Sequence, residues 1–208
     1  MKILVVGATG GTGKHVVGQA LDAGHDVTVF ARDPAKTGRQ HQRLRTVVGN
    51  LHDGQALADA VRGHDAVVSA LGRGYSFKSE RLMERSVPVL ISAMQSAGVR
   101  RLVFTSALGV GDSYGDAPFL ARVFFRTLLR GIYADKLIGD RLIASTDLDW
   151  TIVRPSKMTD GPLTANYRSG ERLALSGMAS ISRADVAHFI LQAAGEPRTV
   201  GKTILISQ

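Results

Sequence analysis

The sequence predicts an α/β fold, a doubly wound parallel sheet with helices on both faces. Three observations carry this. Short apolar runs of strand length alternate with longer segments of helical period. The spacing between runs fits crossover connections, which join parallel strands. A glycine-rich turn, Val5-Val6-Gly7-Ala8-Thr9-Gly10-Gly11-Thr12-Gly13-Lys14-His15, directly follows the first apolar run.

Residues 2–6 read as a buried strand. Residues 13–23 read as a helix, with Val16, Val17, Ala20 and Leu21 on one face and Gly24 as its stop. Strands follow at 26–30 and 44–48, and Asp53 caps a helix to Val61. A fourth strand spans 66–70. Residues 80–97 form a helix with Met83, Val87, Leu90, Ile91 and Met94 as its apolar stripe, which Pro88 should kink or split. The fifth strand is 101–105. Residues 119–145 read as helical with a break near Gly131, 150–153 as a sixth strand ended by Pro155, 185–194 as a helix and 203–207 as a last strand. The least regular stretch, 155–183, is expected to lie over the carboxyl edge of the sheet as a small substrate-side lobe of a single domain, 1–208.

Composition narrows the function. The chain has no cysteine, so disulfides and thiol chemistry are excluded. Strand-like sequence begins at Lys2 and no apolar run reaches the ~18 residues of a membrane span, so the expected setting is the cytoplasm, with no membrane. The formal charge of +8 raises the question of nucleic acid. The charges are dispersed, with modest clusters at 39–45 and Arg100-Arg101. Arg122, Arg126 and Arg130 read as a solvated helix face. No reading element accompanies them, so no nucleic-acid partner is expected, and a positive field also suits a polyanionic cofactor.

Glycine-rich turns hold phosphates because backbone N–H groups can approach them. A triphosphate loop needs Gly-x-x-x-x-Gly-Lys-Ser/Thr. Ala8 and His15 stand where its first glycine and its magnesium-binding hydroxyl belong. A dinucleotide loop fits: Gly7 makes the tight turn, Gly10 admits the pyrophosphate and Gly13 allows close packing of helix on strand. Gly7, Thr9, Gly10, Gly11, Thr12 and Gly13 are therefore candidate cofactor residues.

The end of the second strand selects between the nicotinamide cofactors. A carboxylate there would hold the ribose hydroxyl of NAD. Here Phe30-Ala31 is followed by Arg32, whose planar fork suits the 2′-phosphate of NADP(H), with Lys36 adding a second charge. The other reading makes Arg32 a surface residue and Asp33 the ribose ligand. Later strand ends add Asn50-Leu51 near the adenine, Ala70-Leu71-Gly72 at the cofactor's middle, Ser106 beside the nicotinamide, and Pro155.

The proton relay Tyr-x-x-x-Lys is missing at all four tyrosines, and Tyr75…Lys78 and Tyr133…Lys136 read as surface pairs. A hydride acceptor that can take its proton from water, such as a flavin or linear tetrapyrrole, is then favoured. The six histidines are scattered, so no metal site is expected, and no Gly-x-Ser-x-Gly elbow supports a serine hydrolase.

The segments GATGGTG, VTVFARDPAK, VVGNL, FTSALG and DWTIVRP resemble the atypical short-chain dehydrogenases with NmrA-like folds. PSKMTDGPLTANYR and ISRADVAHFIL are similar to their flavin and biliverdin reductase branch. The resemblance covers nearly the whole chain. It implies a Rossmann core and an NADPH-dependent reductase of flavins or biliverdin-like pigments. Ser106 would lie by the nicotinamide, and Arg32 and Lys36 would hold the 2′-phosphate. Lys36 departs from an arginine, Asn50 from an aspartate, and Lys157 from a substrate-facing histidine. As a longer cation, Lys157 suits a propionate or a flavin phosphate, or lies on the surface; with Ser106 it is the candidate catalytic pair. The alternatives are a non-catalytic NAD(P)-sensing regulator of NmrA type and a nucleotide-sugar epimerase or dehydratase relative. The oligomeric state is open.

Overall fold

Strand β1 (Lys2–Val6) is buried on both faces, which is why it reads as an unbroken apolar run. Ile3 and Val5 point to one side of the sheet and Leu4 and Val6 to the other. The computed structural model describes residues 1–37, 39–72, 81–115, 130–175 and 179–208. The remaining elements are α1 (Gly11–Asp22), β2 (Asp26–Ala31), β3 (Leu44–Val48), α2 (Gly54–Val61), β4 (Ala66–Ser69), α3 (Leu82–Ala97), β5 (Arg101–Thr105), α4 (Arg130–Ala144), β6 (Asp149–Pro155), β7 (Lys157–Thr159), β8 (Arg168–Gly170), β9 (Ser180–Ser182), α5 (Arg183–Gly195) and β10 (Lys202–Ser207).

The main sheet runs β3-β2-β1-β4-β5-β6-β10-β8. Every pair in it is parallel except β10 with β8. Helices α1 and α5 pack on one face and α2, α3 and α4 on the other. The expected doubly wound sheet is therefore the observed one. Its order reverses between β1 and β4, which places the switch point at the carboxyl ends of those strands.

Two local expectations change, while of the two outcomes expected at Pro88, a kink or a split, the helix α3 is unsplit. Pro88 lies on the exposed side, where the Glu84 carbonyl it leaves unbonded can face solvent. Pro155 is the last residue of β6 rather than a stop beyond it. It pairs with Ile206 only after the β5 ladder has ended at Thr105↔Val153, so its missing N–H breaks no bond on that side. The Arg100-Arg101 pair divides. Arg100 stays outside with Asp147 and Asp149, while Arg101 turns inward and donates to the Ala193 and Ala194 carbonyls at the end of α5. The 119–129 part of the expected long helix, with Arg122 and Arg126, lies outside the described residues, as does Tyr75…Lys78.

The irregular 155–183 stretch contains β7, β8 and β9, and β7 pairs with β9 in a small parallel sheet. Asp185, in the first turn of α5, ties this stretch down. It is fully buried and accepts from the Thr164 N–H (2.8 Å), the Thr164 hydroxyl (2.9 Å), the Ala165 N–H (2.7 Å) and the Ser182 hydroxyl (2.8 Å). Those bonds hold Ala165 at φ +54, a conformation few non-glycine residues adopt. Burial pushes the Asp185 carboxyl up, but the donors from Thr164, Ala165 and Ser182 outweigh it, and the carboxyl sits below its ordinary value. Its stabilisation is complete above the unfolded carboxylate pKa of about 3.9 and is lost as pH falls through the lower folded value. Asp185→Asn should cost about 3 kcal/mol at neutral pH in urea titrations, and that difference should shrink in acid.

Candidate functional site

The glycine loop is shaped by contacts a side chain would break. Gly7 has φ +79, and a Cβ there would lie 2.6 Å from the Ala70 carbonyl oxygen and 2.9 Å from the Leu71 nitrogen. The loop after β1 thus rests on the end of β4. A Cβ on Gly13 would lie 2.2 Å from the Gly7 carbonyl oxygen, so α1 starts hard against the loop. Gly10 differs. Its N–H donates to Gly7 O at 3.1 Å, yet its Cβ would meet only that oxygen, at 3.4 Å. The protein hardly needs glycine there, whereas a ligand that approaches the backbone closely would.

Gly10 is the N-cap of α1 and gives no side-chain hydrogen bond to the first turn, which also lacks an acidic residue. The N–H groups of Gly11, Thr12 and Gly13 are therefore free of capping by the helix itself. Such donors, with an open Gly10 and an exposed Gly72 whose Cβ position meets no atom within 4 Å among the described residues, fit a diphosphate. Thr9 is half-buried beside them. The Thr12 side chain is turned away: it is buried and its hydroxyl donates to the Met158 sulfur at 3.5 Å. Gly11 lies beneath the Arg183 side chain, whose Cδ is 2.8 Å from where a Cβ would be.

At the end of β2, Arg32 is exposed and has no ion-pair partner among the described residues. Asp33 is engaged: it accepts from the Ala35 N–H at 3.0 Å and pairs with Lys36 at 3.6 Å. That leaves Arg32 as the free charge at this strand end. After β3, the Asn50 Oδ1 accepts the His52 N–H at 3.1 Å, and Leu51 packs against the core beneath α2 and α3. Asn50 therefore shapes its turn while remaining exposed. Ala70 continues the ladder, its N–H donating to Val6 O at 2.9 Å, and Leu71 is buried.

The end of β5 carries a buried polar cluster. Ser106 is 2% exposed and its hydroxyl donates to Asp140 Oδ2 at 3.0 Å. The same oxygen accepts from Arg154 Nε (3.2 Å) and Nη2 (3.0 Å), and Arg154 Nη1 reaches Asp112 at 2.5 Å. Lys136 Nζ donates to the Ser106 carbonyl at 3.3 Å. Burial pushes the Asp140 carboxyl up, against the pull of Arg154, Ser106 and Lys136. Burial likewise lowers Lys136, against Asp140 and Asp135. The expected surface pair Tyr133…Lys136 is thus corrected, because Lys136 sits behind the fifth strand's end. Asp140 Oδ1 is buried without a hydrogen-bond partner among the described residues.

Pro155 is buried, and its carbonyl accepts the Leu108 N–H at 3.0 Å, fastening the Ser106 loop to β6. Lys157 opens β7 with an exposed side chain. From the sequence Lys136 had only a surface role, and Asp140, Arg154, Arg183 and Asp185 had none. Two had a signal. Arg154 is a charged residue inside an apolar strand, and Ser182-x-x-Asp185 is a capping pattern. Among the described residues no three His, Asp or Glu side chains form a group that could hold a metal ion, and no helix is long and apolar enough to cross a membrane.

A glycine-lined switch point with open N–H donors and a free cation at the second strand's end defines a dinucleotide-binding protein. The chain belongs to the NAD(P)H-binding family, which it matches over residues 7–197, and is an atypical short-chain dehydrogenase/reductase of NmrA-like fold. It is 30% identical over 224 residues to the UPF0659 protein YMR090W of Saccharomyces cerevisiae, a match covering 98% of this chain and 92% of that protein. It is 29% identical over 206 residues to the photosystem II assembly factor Ycf39 of Synechocystis sp., covering 93% of this chain but 58% of that longer protein. The structure of ChuY, an anaerobillin reductase from Escherichia coli O157:H7, superposes with a TM-score of 0.81 at 23% identity, covering 99% of this chain and 96% of that one, a likeness of fold. The family is oxidoreductase-like and binds NAD(P)H, and NADP(H) is the cofactor the expectation named.

Proposed function

We propose that the protein is an NADPH-dependent reductase that passes hydride from the nicotinamide to a flat, conjugated, electron-poor acceptor of flavin or linear-tetrapyrrole type. The observation that carries this is the carboxyl edge itself, with open donors at α1 and the exposed Arg32 at β2, in a sequence that has no Tyr-x-x-x-Lys. Bound NADPH supplies the hydride, while the protein's groups bind and orient. Gly7, Gly10 and the first turn of α1 hold the diphosphate, Arg32 and Lys36 the 2′-phosphate, the end of β3 flanks the adenine and the end of β4 lines the cofactor's middle. Ser106 has its proton committed to Asp140, so its oxygen can accept a hydrogen bond but is poorly placed to donate a proton. This favours an acceptor that is protonated from water. Segment 155–183, with Lys157, forms the acceptor side, where the exposed ammonium suits a propionate or phosphate. The ChuY fold, found on an anaerobillin reductase, is compatible with such an acceptor.

The engaged, buried Ser106 also favours a second reading, a regulator that binds NAD(P) without turning it over. Mixing the protein with NADPH and FMN, riboflavin or biliverdin separates the two. A saturable loss of the nicotinamide's near-ultraviolet absorbance supports the reductase, and tight binding without turnover on any acceptor supports the regulator. Arg32→Ala should weaken NADPH about thirtyfold, within the ~1.5–3 kcal/mol of a hydrogen bond to a charged group, and leave NADH unchanged. Equal weakening of both would overturn the assignment of Arg32 to the 2′-phosphate.

A further inference from the structure

Arg183, in the ISRADV segment, has no role in the fold so far described. It opens α5, which packs beside α1 with both N-termini at the carboxyl edge. Its stem crosses the first turn of α1: the Gly11 Cβ position is 2.8 Å from Arg183 Cδ and 2.9 Å from Nε. The side chain is 18% exposed, and Nη1 pairs with Asp160 Oδ1 at 2.6 Å, a carboxylate that is itself 75% exposed.

This arrangement is unbalanced as it stands. The positive end of α1 lacks a capping side chain and an acidic residue, and a guanidinium lies beside it. Like-signed features side by side are unfavourable unless an anion joins them. One solvent-facing carboxylate offsets only part of that charge. A diphosphate, with two charges and oxygens matched to a guanidinium fork, would offset the rest. Gly11 is what lets the arginine lie this close.

We propose that Arg183 is a cofactor-binding residue that places its guanidinium on the dinucleotide's diphosphate, giving up Asp160 to do so. Asp160 belongs to the 155–183 segment, which Asp185 anchors two residues after Arg183. The exchange therefore couples diphosphate binding to the segment on the acceptor side. This inference rests on the dinucleotide reading of the glycine loop.

The test is calorimetric titration of the purified protein with NADP⁺, 2′-phospho-ADP-ribose and adenosine 2′,5′-bisphosphate, which lacks the diphosphate. Arg183→Ala should weaken the first two about tenfold and the third by about twofold or less, with Arg183→Lys intermediate, since lysine keeps charge without the fork. Asp160→Asn, at an exposed position that leaves the fold intact, should tighten NADP⁺ about threefold by removing the competing carboxylate. Hydrogen exchange of residues 160–170 should change on NADP⁺ binding in the wild type and not in Arg183→Lys. Equal weakening of all three ligands by Arg183→Ala, or no tightening by Asp160→Asn, overturns the proposal. A wild-type protein that binds none of the three overturns the dinucleotide reading beneath it, a result distinguishable from either.

Discussion

Gly13→Ala is expected to abolish dinucleotide binding and to destabilise the protein by about 3 kcal/mol, lowering Tm by about 10 °C. The added methyl would lie 2.2 Å from the Gly7 carbonyl oxygen, 2.7 Å from Ala8 Cα and 2.9 Å from the Gly7 carbonyl carbon. All three are backbone atoms, so no side chain can swing aside. The loop would have to lift from the end of β4, where Gly7 already meets the Ala70 carbonyl. Gly10→Ala is the contrast. Its methyl meets one oxygen at 3.4 Å, so Tm should move by about 2 °C or less. On the proposed placement of the diphosphate, its NADP⁺ affinity should nevertheless fall, because the methyl would fill that space. Thermal melts and NADP⁺ titrations of both variants check the pair. Equal melting points would mean that α1 does not start as close to β1 as described.

Asp140→Ala should cost about 4 kcal/mol, because it strips a buried guanidinium of its buried partner. Arg154 and Asp140 have side chains 6% and 4% exposed, and they meet at 3.0 Å. Removing the carboxylate leaves Arg154 with Asp112, which is 74% exposed, and leaves the Ser106 hydroxyl without its acceptor. The loss should appear in urea denaturation. Replacing both partners with apolar side chains, Asp140→Leu with Arg154→Met, should restore most of the stability, since the pair's own desolvation cost disappears with it. Turnover should stay low in that double variant, because Ser106 is no longer held. A single variant within about 1 kcal/mol of wild type would mean that the cluster is hydrated and does not fix Ser106.

The sheet was legible because its central strands β1, β2, β4 and β5 are buried on both faces and so read as apolar runs, most of them separated by helical periods. Val5-Val6-Gly7 announced the switch point, since only a glycine fits against the Ala70 carbonyl. The expected doubly wound parallel sheet and the NAD(P)H-binding family hold in the structure and its relatives. What the sequence hid was long-range pairing. Asp140 lies 34 residues from Ser106 and 14 from Arg154 along the chain, and nothing local marks it among the polar residues of α4. Lys136 misled for the same reason. Helical spacing from Tyr133 said nothing about which side of α4 meets the end of β5. Pro88 left a kink and a split both open, and the helix is unsplit, with Pro88 on its exposed side. The small sheet of β7 and β9 was hidden because each strand has three residues, too few to show a period.

Direct hydride transfer from NADPH is the central claim, and isotopic substitution at the nicotinamide tests it most directly. Turnover with FMN or biliverdin would be measured using NADPH deuterated at C4 on one face and then on the other. The account predicts a slower rate with one of the two forms and an unchanged rate with the other, as expected when a fixed site presents one face of the ring to the acceptor. Firm binding of both forms with no oxidation by any acceptor would contradict it and leave a protein that binds the cofactor without using it.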